Sequence, residues 1–146
     1  MHHAHRDRTK GKSQENPITR QGRKEAAAIG EILRIGKVPV TCIYSGEYLR
    51  YRQTNELINK YTKAPITTDS RLNEIDCDVL EYEKRIHNFL RDVIAKHSNK
   101  DIIICMTSGV ALSCFMSYFI NGKPIKGFKY AQGATVSPVI FEYDKE

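Results

Sequence analysis

This sequence of 146 residues contains no closely spaced pair of cysteines. None of its four cysteines is in CxxC spacing and three lie in apolar runs; they are Cys42, Cys77, Cys105 and Cys114. A disulfide framework would be unusual at this length. We therefore expect reduced thiols, most of them in the core of a cytoplasmic protein.

The sequence also lacks a leading signal segment, internal repeats, low-complexity tracts and an interdomain linker. A chain of this length can bury roughly two-thirds of the surface that its unfolded state exposes, which is enough for one core. We therefore expect a single domain over residues 1–146.

Long apolar runs are scarce, with one stretch that needs explanation. Residues 102–121 carry no charge, which is long enough to raise the alternative of a membrane span. Small polar residues and a glycine interrupt the run, at Thr107, Ser108, Gly109, Ser113 and Ser117. A buried strand that turns into a helix explains this pattern better, and we expect no membrane partner.

Charge is present in excess and unevenly placed. The formal net charge is +6, and residues 1–24 contain seven basic but only two acidic side chains. Such a cluster would attract an anionic ligand. The alternative interpretation is a solvated basic loop, and charge alone does not separate the two.

Helix and strand patterns alternate along the chain. Thr19 is a suitable N-cap and Gly36 a stop for the first helix, whose apolar stripe comprises Ala26, Ala27, Ile29, Ile32 and Leu33. We predict helices over residues 19–33, 47–61, 81–97 and 108–120, and strands over residues 38–44, 66–68, 101–106 and 135–142. This order predicts an α/β domain with a largely parallel sheet, whose ligands collect at the carboxyl ends of the strands.

Polar residues follow the predicted strands at those ends. They include Arg50 after the first strand, Glu74 after the second, and Thr107 and Ser108 after the third, while His3 lies near the N-terminus. An imidazole, a guanidinium, a carboxyl group and a helix N-terminus together suit a phosphate monoester. The pattern favours phosphoryl chemistry.

Five short motifs carry a family resemblance. His3-Ala4 resembles the RHG/RHA signature of the histidine phosphatase (phosphoglycerate mutase-like) superfamily, and residues 17–22 resemble its PLTxxG motif. Residues 44–54 are similar to YSSPLxRARQT, residues 71–74 match RLNE, and residues 133–143 resemble the closing NxSVTxLEYD strand. The resemblance covers residues 2–143 in the right order, and it implies a three-layer α/β/α fold.

The resemblance also implies roles for individual residues. His3 would be the nucleophile that forms a phosphohistidine, and Glu74 the proton donor. The phosphate would be bound by His2, Arg50, Thr107 and Ser108. This chemistry requires no metal or cofactor, and the partner would be a phosphorylated small molecule or phosphoprotein, with no nucleic acid involved.

The sequence departs from the family pattern at three places. The apolar strand that delivers the histidine has no room before Met1, so either the true start lies upstream or the sheet lacks a central strand. His2 stands where the family has arginine, which removes a fixed bidentate donor. Ser108, or Thr107 after a one-residue slip, stands where the family has a second histidine, although a subgroup with TSGG at this turn and LNEFD at the acid looks similar.

These departures leave alternatives open. The first is a phospholigand-binding or interaction protein that has kept the fold and lost the chemistry. The second is a metal-binding N-terminus, in which His2 and His3 would help to hold Cu(II) or Ni(II). The segment that would shape specificity, residues 75–81, is too short and generic to name a substrate.

Overall fold

The computed structural model describes residues 1–120. It contains four helices, α1 (Arg20–Ile35), α2 (Leu49–Thr62), α3 (Val79–Lys96) and α4 (Gly109–Ile120), and three strands, β1 (Val40–Ser45), β2 (Ile66–Thr68) and β3 (Ile102–Met106). Two short 3-10 turns lie at Ser13–Glu15 and Ser70–Leu72. Every predicted element of this part of the chain is confirmed, and each of its bounds differs from the predicted one by two residues or fewer. The predicted strand over residues 135–142 and the closing motif lie outside the described residues.

The three strands form one parallel sheet in the order β2-β1-β3. Ile43 in β1 pairs with Ile66 on one side and with Ile104 on the other. Because the strands run the same way, their carboxyl ends lie at one edge of the sheet. The α/β prediction is confirmed.

Alternate residues of β1 point to opposite faces of the sheet, and each face is covered by helices. Cys42 and Tyr44 pack with α3 and α4 in one apolar cluster. Ile43 packs with Tyr51 and Ile58 of α2 in a second cluster, against which α1 also lies. The result is the expected three-layer α/β/α arrangement.

Helix α1 buries most of the predicted face. Thr19 is the N-cap, its side chain accepting a hydrogen bond from the amide of Gly22, as predicted. The buried residues are Gly22, Ala26 and Gly30, and Ile29 and Leu33 of the predicted stripe pack against the core, whereas Ile32 is 61% exposed. Gly30 lets α1 approach α2 closely, since an added Cβ there would lie 2.6 Å from the ring of Tyr61.

The charge-free run is divided between β3 and α4, as expected. Among the helices within residues 1–120, none has the length and apolar character that crossing a membrane requires. The four cysteines lie in this part of the chain and none is in a disulfide.

Candidate active site

An isolated parallel β-bridge just beyond the end of β3 places His3. The amide of His3 donates to the carbonyl oxygen of Thr107 (3.1 Å), and the amide of Thr107 donates to the carbonyl oxygen of Met1 (3.0 Å). His2 and Thr107 are paired in parallel. Residues 1–3 therefore lie alongside the end of β3, and His3 joins the polar edge of the sheet.

His3 is held in one tautomer and in the neutral form. Its Nδ1 atom lies 2.7 Å from the carbonyl oxygen of Ala4. Since a carbonyl oxygen only accepts, Nδ1 carries the proton and Nε2 keeps its lone pair. Burial, followed by the neighbouring charges of His2, Arg50 and Arg6, lowers the pKa of His3 to about 2. A neutral imidazole with an unprotonated Nε2 can act as a nucleophile near pH 7.

Arg50, near the start of α2, is fully buried beside two stacked aromatic rings. Its guanidinium carbon lies 4.7 Å from the ring centres of both Tyr48 and Tyr51. It donates to the backbone carbonyl oxygen of Ser13 (2.6 Å) and to Glu74 Oε2 (3.0 Å). Burial lowers the pKa of Arg50 from its usual value, yet an arginine remains charged, so the site has a fixed cation.

The Glu74 carboxylate receives hydrogen bonds from three side chains. Arg6 donates to both of its oxygens, at 3.2 and 3.3 Å, and Arg50 donates to Oε2. The hydroxyl of Ser13 lies 3.2 Å from the same Oε2 atom. In this position Glu74 is an acceptor, and a role as proton donor requires it to leave the two guanidinium groups.

Thr107 and Ser108 lie at the turn into α4, and both are buried. The hydroxyl of Thr107 donates to the carbonyl oxygen of Leu72 at 2.7 Å, and the backbone of Thr107 pairs with residues 1–3. Ser108 precedes the helix, with its Oγ 3.5 Å from the hydroxyl of Tyr82. That either residue contacts phosphate stays a prediction.

Comparison with known proteins agrees with this arrangement. The model of the histidine phosphatase superfamily (branch 1) matches residues 2–83, more than half of the chain. The chain belongs to the histidine phosphatase superfamily. The match includes the segments that carry His2, His3, Arg50 and Glu74.

Curated relatives in the superfamily include the probable phosphoglycerate mutase GpmB of Salmonella choleraesuis (strain SC-B67). It is 38% identical over 74 residues, which are 51% of this chain and 33% of the relative. The chain thus matches about one third of the length of this relative.

Solved structures show the same fold at low sequence identity. YhfR of Bacillus stearothermophilus superposes with a TM-score of 0.71 at 20% identity, covering 81% of this chain and 76% of that one. The protein histidine phosphatase SixA complexed with tungstate superposes with a TM-score of 0.65 at 15% identity, covering 85% of this chain and 76% of that one. A mycobacterial glucosyl-3-phosphoglycerate phosphatase, Rv2419c, superposes with a TM-score of 0.66 at 13% identity, covering 81% of this chain and 76% of that one.

The structure brings the predicted site residues to one edge of the sheet. The rings of His2 and His3 are in tilted contact, with 4.3 Å between their centres, and Arg50 and Glu74 are in direct contact. The sequence interpretation missed Arg6 and Tyr51, whose ring centre lies 5.4 Å from that of His3. The one signal for Arg6 was the concentration of basic residues in this segment.

The nitrogens that an N-terminal metal site would use are engaged in other contacts. The nitrogen of Met1 donates to the carbonyl oxygen of Cys105, the amide of His3 to Thr107, and Nδ1 of His3 to Ala4. Within residues 1–120 there is no group of three histidine, cysteine or acidic side chains arranged to hold a metal ion. The contacts present favour the phosphate site over the metal alternative.

Proposed function

We propose that this chain is a phosphomonoester hydrolase that works through a phosphohistidine on His3. The observation that carries the proposal is the neutral, buried imidazole of His3, whose Nδ1 bonds to Ala4 and whose Nε2 keeps its lone pair. Arg50 supplies a fixed positive charge at the same edge of the sheet. A nucleophile beside a fixed cation is what phosphoryl transfer requires.

In the first step, Nε2 of His3 attacks phosphorus, and the bond from phosphorus to the ester oxygen breaks. Glu74, released from the arginines, takes a proton from solvent and gives it to the leaving oxygen. In the second step a water molecule attacks the phosphohistidine, its proton passes to Glu74, and the phosphorus–nitrogen bond breaks. Inorganic phosphate leaves, Glu74 returns its proton to solvent, and both side chains regain their starting states.

The remaining residues neutralise charge on the phosphoryl oxygens. Arg50 contributes a guanidinium, and His2, Thr107 and Ser108 lie at the same edge, the last two at the start of α4. Phosphoryl transfer depends mainly on positioning and charge stabilisation, so no metal or cofactor is needed in this scheme. The substrate is a phosphorylated small molecule or phosphoprotein, a class that agrees with the substrate in the name of the mycobacterial phosphatase above.

Turnover of a generic phosphomonoester tests the proposal. The wild-type protein should release phosphate from p-nitrophenyl phosphate, and His3→Ala should abolish the release. His5→Ala is the matched control, because His5 is an exposed histidine in the same segment and should retain the activity. Equal rates in wild type and His3→Ala would contradict the proposal.

A second candidate function is phospholigand binding without turnover. Two residues favour it: His2 lacks the permanent charge of the superfamily arginine, and Ser108 offers a hydroxyl where the superfamily has a second imidazole. This candidate predicts that vanadate binds with an affinity that depends on Arg50 while no phosphomonoester is hydrolysed. Measurable turnover that requires His3 would exclude it.

A further inference from the structure

Two guanidinium groups from distant parts of the sequence meet on one carboxylate. Arg6 contacts both oxygens of Glu74, at 3.2 and 3.3 Å, and Arg50 contacts Oε2 at 3.0 Å. Two positive charges thus share one negative charge, which leaves a net positive charge in the cluster. A phosphate dianion carries more charge and more acceptor oxygens than a carboxylate, so it suits the pair of guanidinium groups better.

Both arginines also have donors that no described residue satisfies. Arg50 is fully buried and the side chain of Arg6 is 12% exposed. The Nε atom of each is buried and has no hydrogen-bond acceptor within residues 1–120. Because an unsatisfied buried donor costs free energy, two such donors beside one carboxylate indicate a site that an anion with several oxygens completes.

Arg6 is tied to the proposed nucleophile by backbone and by charge. It follows His3 by three residues, and its backbone pairs with Ile18. Its charge is one of those that lower the pKa of His3. Arg6 therefore brings a guanidinium to a site in which His2 has replaced the arginine of the superfamily signature.

We propose that Arg6 is a second phosphate-binding arginine, and that Glu74 is an internal anion that occupies the Arg6–Arg50 pair until a phosphoryl group displaces it. This inference rests on the proposed function, since it assigns the ligand of that site. Glu74 is 29% exposed, so its side chain has room to move away. Displacement is also the event that would free Glu74 to exchange a proton.

Binding of inorganic phosphate to the 146-residue chain, measured by isothermal titration calorimetry, tests this inference. Glu74→Gln removes the competing charge and should tighten phosphate binding several-fold. Adding Arg6→Gln to that variant should weaken binding by about tenfold or more, the effect of losing a charge-assisted hydrogen bond. Both members of the Arg6–Glu74 ion pair are uncharged in the double variant, and Arg50 keeps its charge in both of the variants that are compared.

The control adds Arg8→Gln to Glu74→Gln. Arg8 is exposed, lies two residues from Arg6 and loses the same charge, so phosphate affinity should stay close to that of Glu74→Gln. If Arg6→Gln weakens binding no more than Arg8→Gln does, Arg6 is only an anchor for Glu74 and the inference is wrong. The inference is also wrong if Glu74→Gln weakens phosphate binding.

A third variant separates this inference from the proposed function. Arg50→Gln in the Glu74→Gln background should weaken phosphate binding at least as much as Arg6→Gln. If Arg50→Gln weakens binding and Arg6→Gln does not, only the inference about Arg6 fails. If neither changes the affinity, the phosphate site has been misplaced, and the proposed function fails with it.

Discussion

The Nδ1 atom of His3 lies 2.7 Å from the carbonyl oxygen of Ala4, the next residue in the chain. This contact fixes the proton on Nδ1 and leaves Nε2 unprotonated. The backbone of Ala4 is itself held by the hydroxyl of Thr54, which in turn donates to the carbonyl oxygen of Arg50. The orientation of the histidine and the position of the buried arginine therefore depend on the same side chain of α2.

Burial of a neutral His3 makes stability depend on pH. The folded protein protonates His3 only near pH 2, whereas the unfolded chain protonates it near its ordinary pKa of 6.5. Below pH 6.5 the unfolded state binds more protons, so the free energy of unfolding falls by about 1.4 kcal/mol per pH unit, and above pH 6.5 this contribution is fully present.

Urea denaturation of wild type and His3→Gln at pH 7 and pH 5 measures this effect. The loss of stability between the two pH values should be smaller in the variant by about 2 kcal/mol. His5→Gln removes an exposed histidine and should retain the full loss. An equal loss in His3→Gln and wild type would show that His3 is not buried in the neutral form.

Gly22 allows α1 to pack against the segment that carries His3. An added Cβ atom would overlap the carbonyl oxygen of His5 and would lie 3.0 Å from its amide nitrogen. Backbone cannot rotate away as a side chain can, so Gly22→Ala should destabilise the fold by about 1–3 kcal/mol and weaken oxyanion binding.

Thermal unfolding and vanadate titration of this variant check both effects. Gly36→Ala is the control at the other end of α1, because Gly36 is exposed and has an ordinary negative φ of −71°. It should change neither property by a comparable amount. Full stability and wild-type vanadate affinity in Gly22→Ala would contradict the packing described for this glycine.

Local patterns predicted the elements of this fold well, because their causes are local. Thr19 begins α1 through a hydrogen bond to an amide three residues away, and the charge-free run divides at the Thr107–Ser108 turn. The apolar stripe of α1 was predicted correctly except at Ile32, which is exposed. The burial of Gly22 and Gly30 was not predicted, because it follows from close approaches to the His5 backbone and to the ring of Tyr61 that no local pattern reveals.

The candidate site was predictable where motifs carried it and not where contacts created it. His3, Arg50 and Glu74 came from a family resemblance, and the structure brings them to one edge of the sheet. The contact between Arg6 and Glu74 joins residues 68 positions apart, and no local pattern encodes it. Its recognition requires the three-dimensional arrangement.

Restoring the two superfamily residues should raise activity if they limit it. His2→Arg would add a guanidinium that can bind the phosphate through two donors, and Ser108→His would add a second imidazole. Each substitution should raise the rate by about one to two orders of magnitude. Because Ser108 is 2% exposed beside Tyr82, the larger imidazole requires local rearrangement.

The double variant is the decisive one, because residues that act together are not additive. Circular dichroism and vanadate binding should first establish that it is folded and that its site is formed. Its rate on p-nitrophenyl phosphate should then exceed that of either single variant. A folded, vanadate-binding double variant that hydrolyses nothing would favour the binding protein over the enzyme.

The most direct test of the central claim is to trap the covalent intermediate. The 146-residue chain is incubated with a ³²P-labelled phosphomonoester, quenched in base and digested, and the labelled peptide is located. A phosphohistidine mechanism predicts acid-labile, base-stable label on His3, present in His5→Ala and absent from His3→Ala, because a phosphoramidate hydrolyses readily in acid. Hydrolysis of the substrate with no label on the protein, or with label on a cysteine, would contradict it.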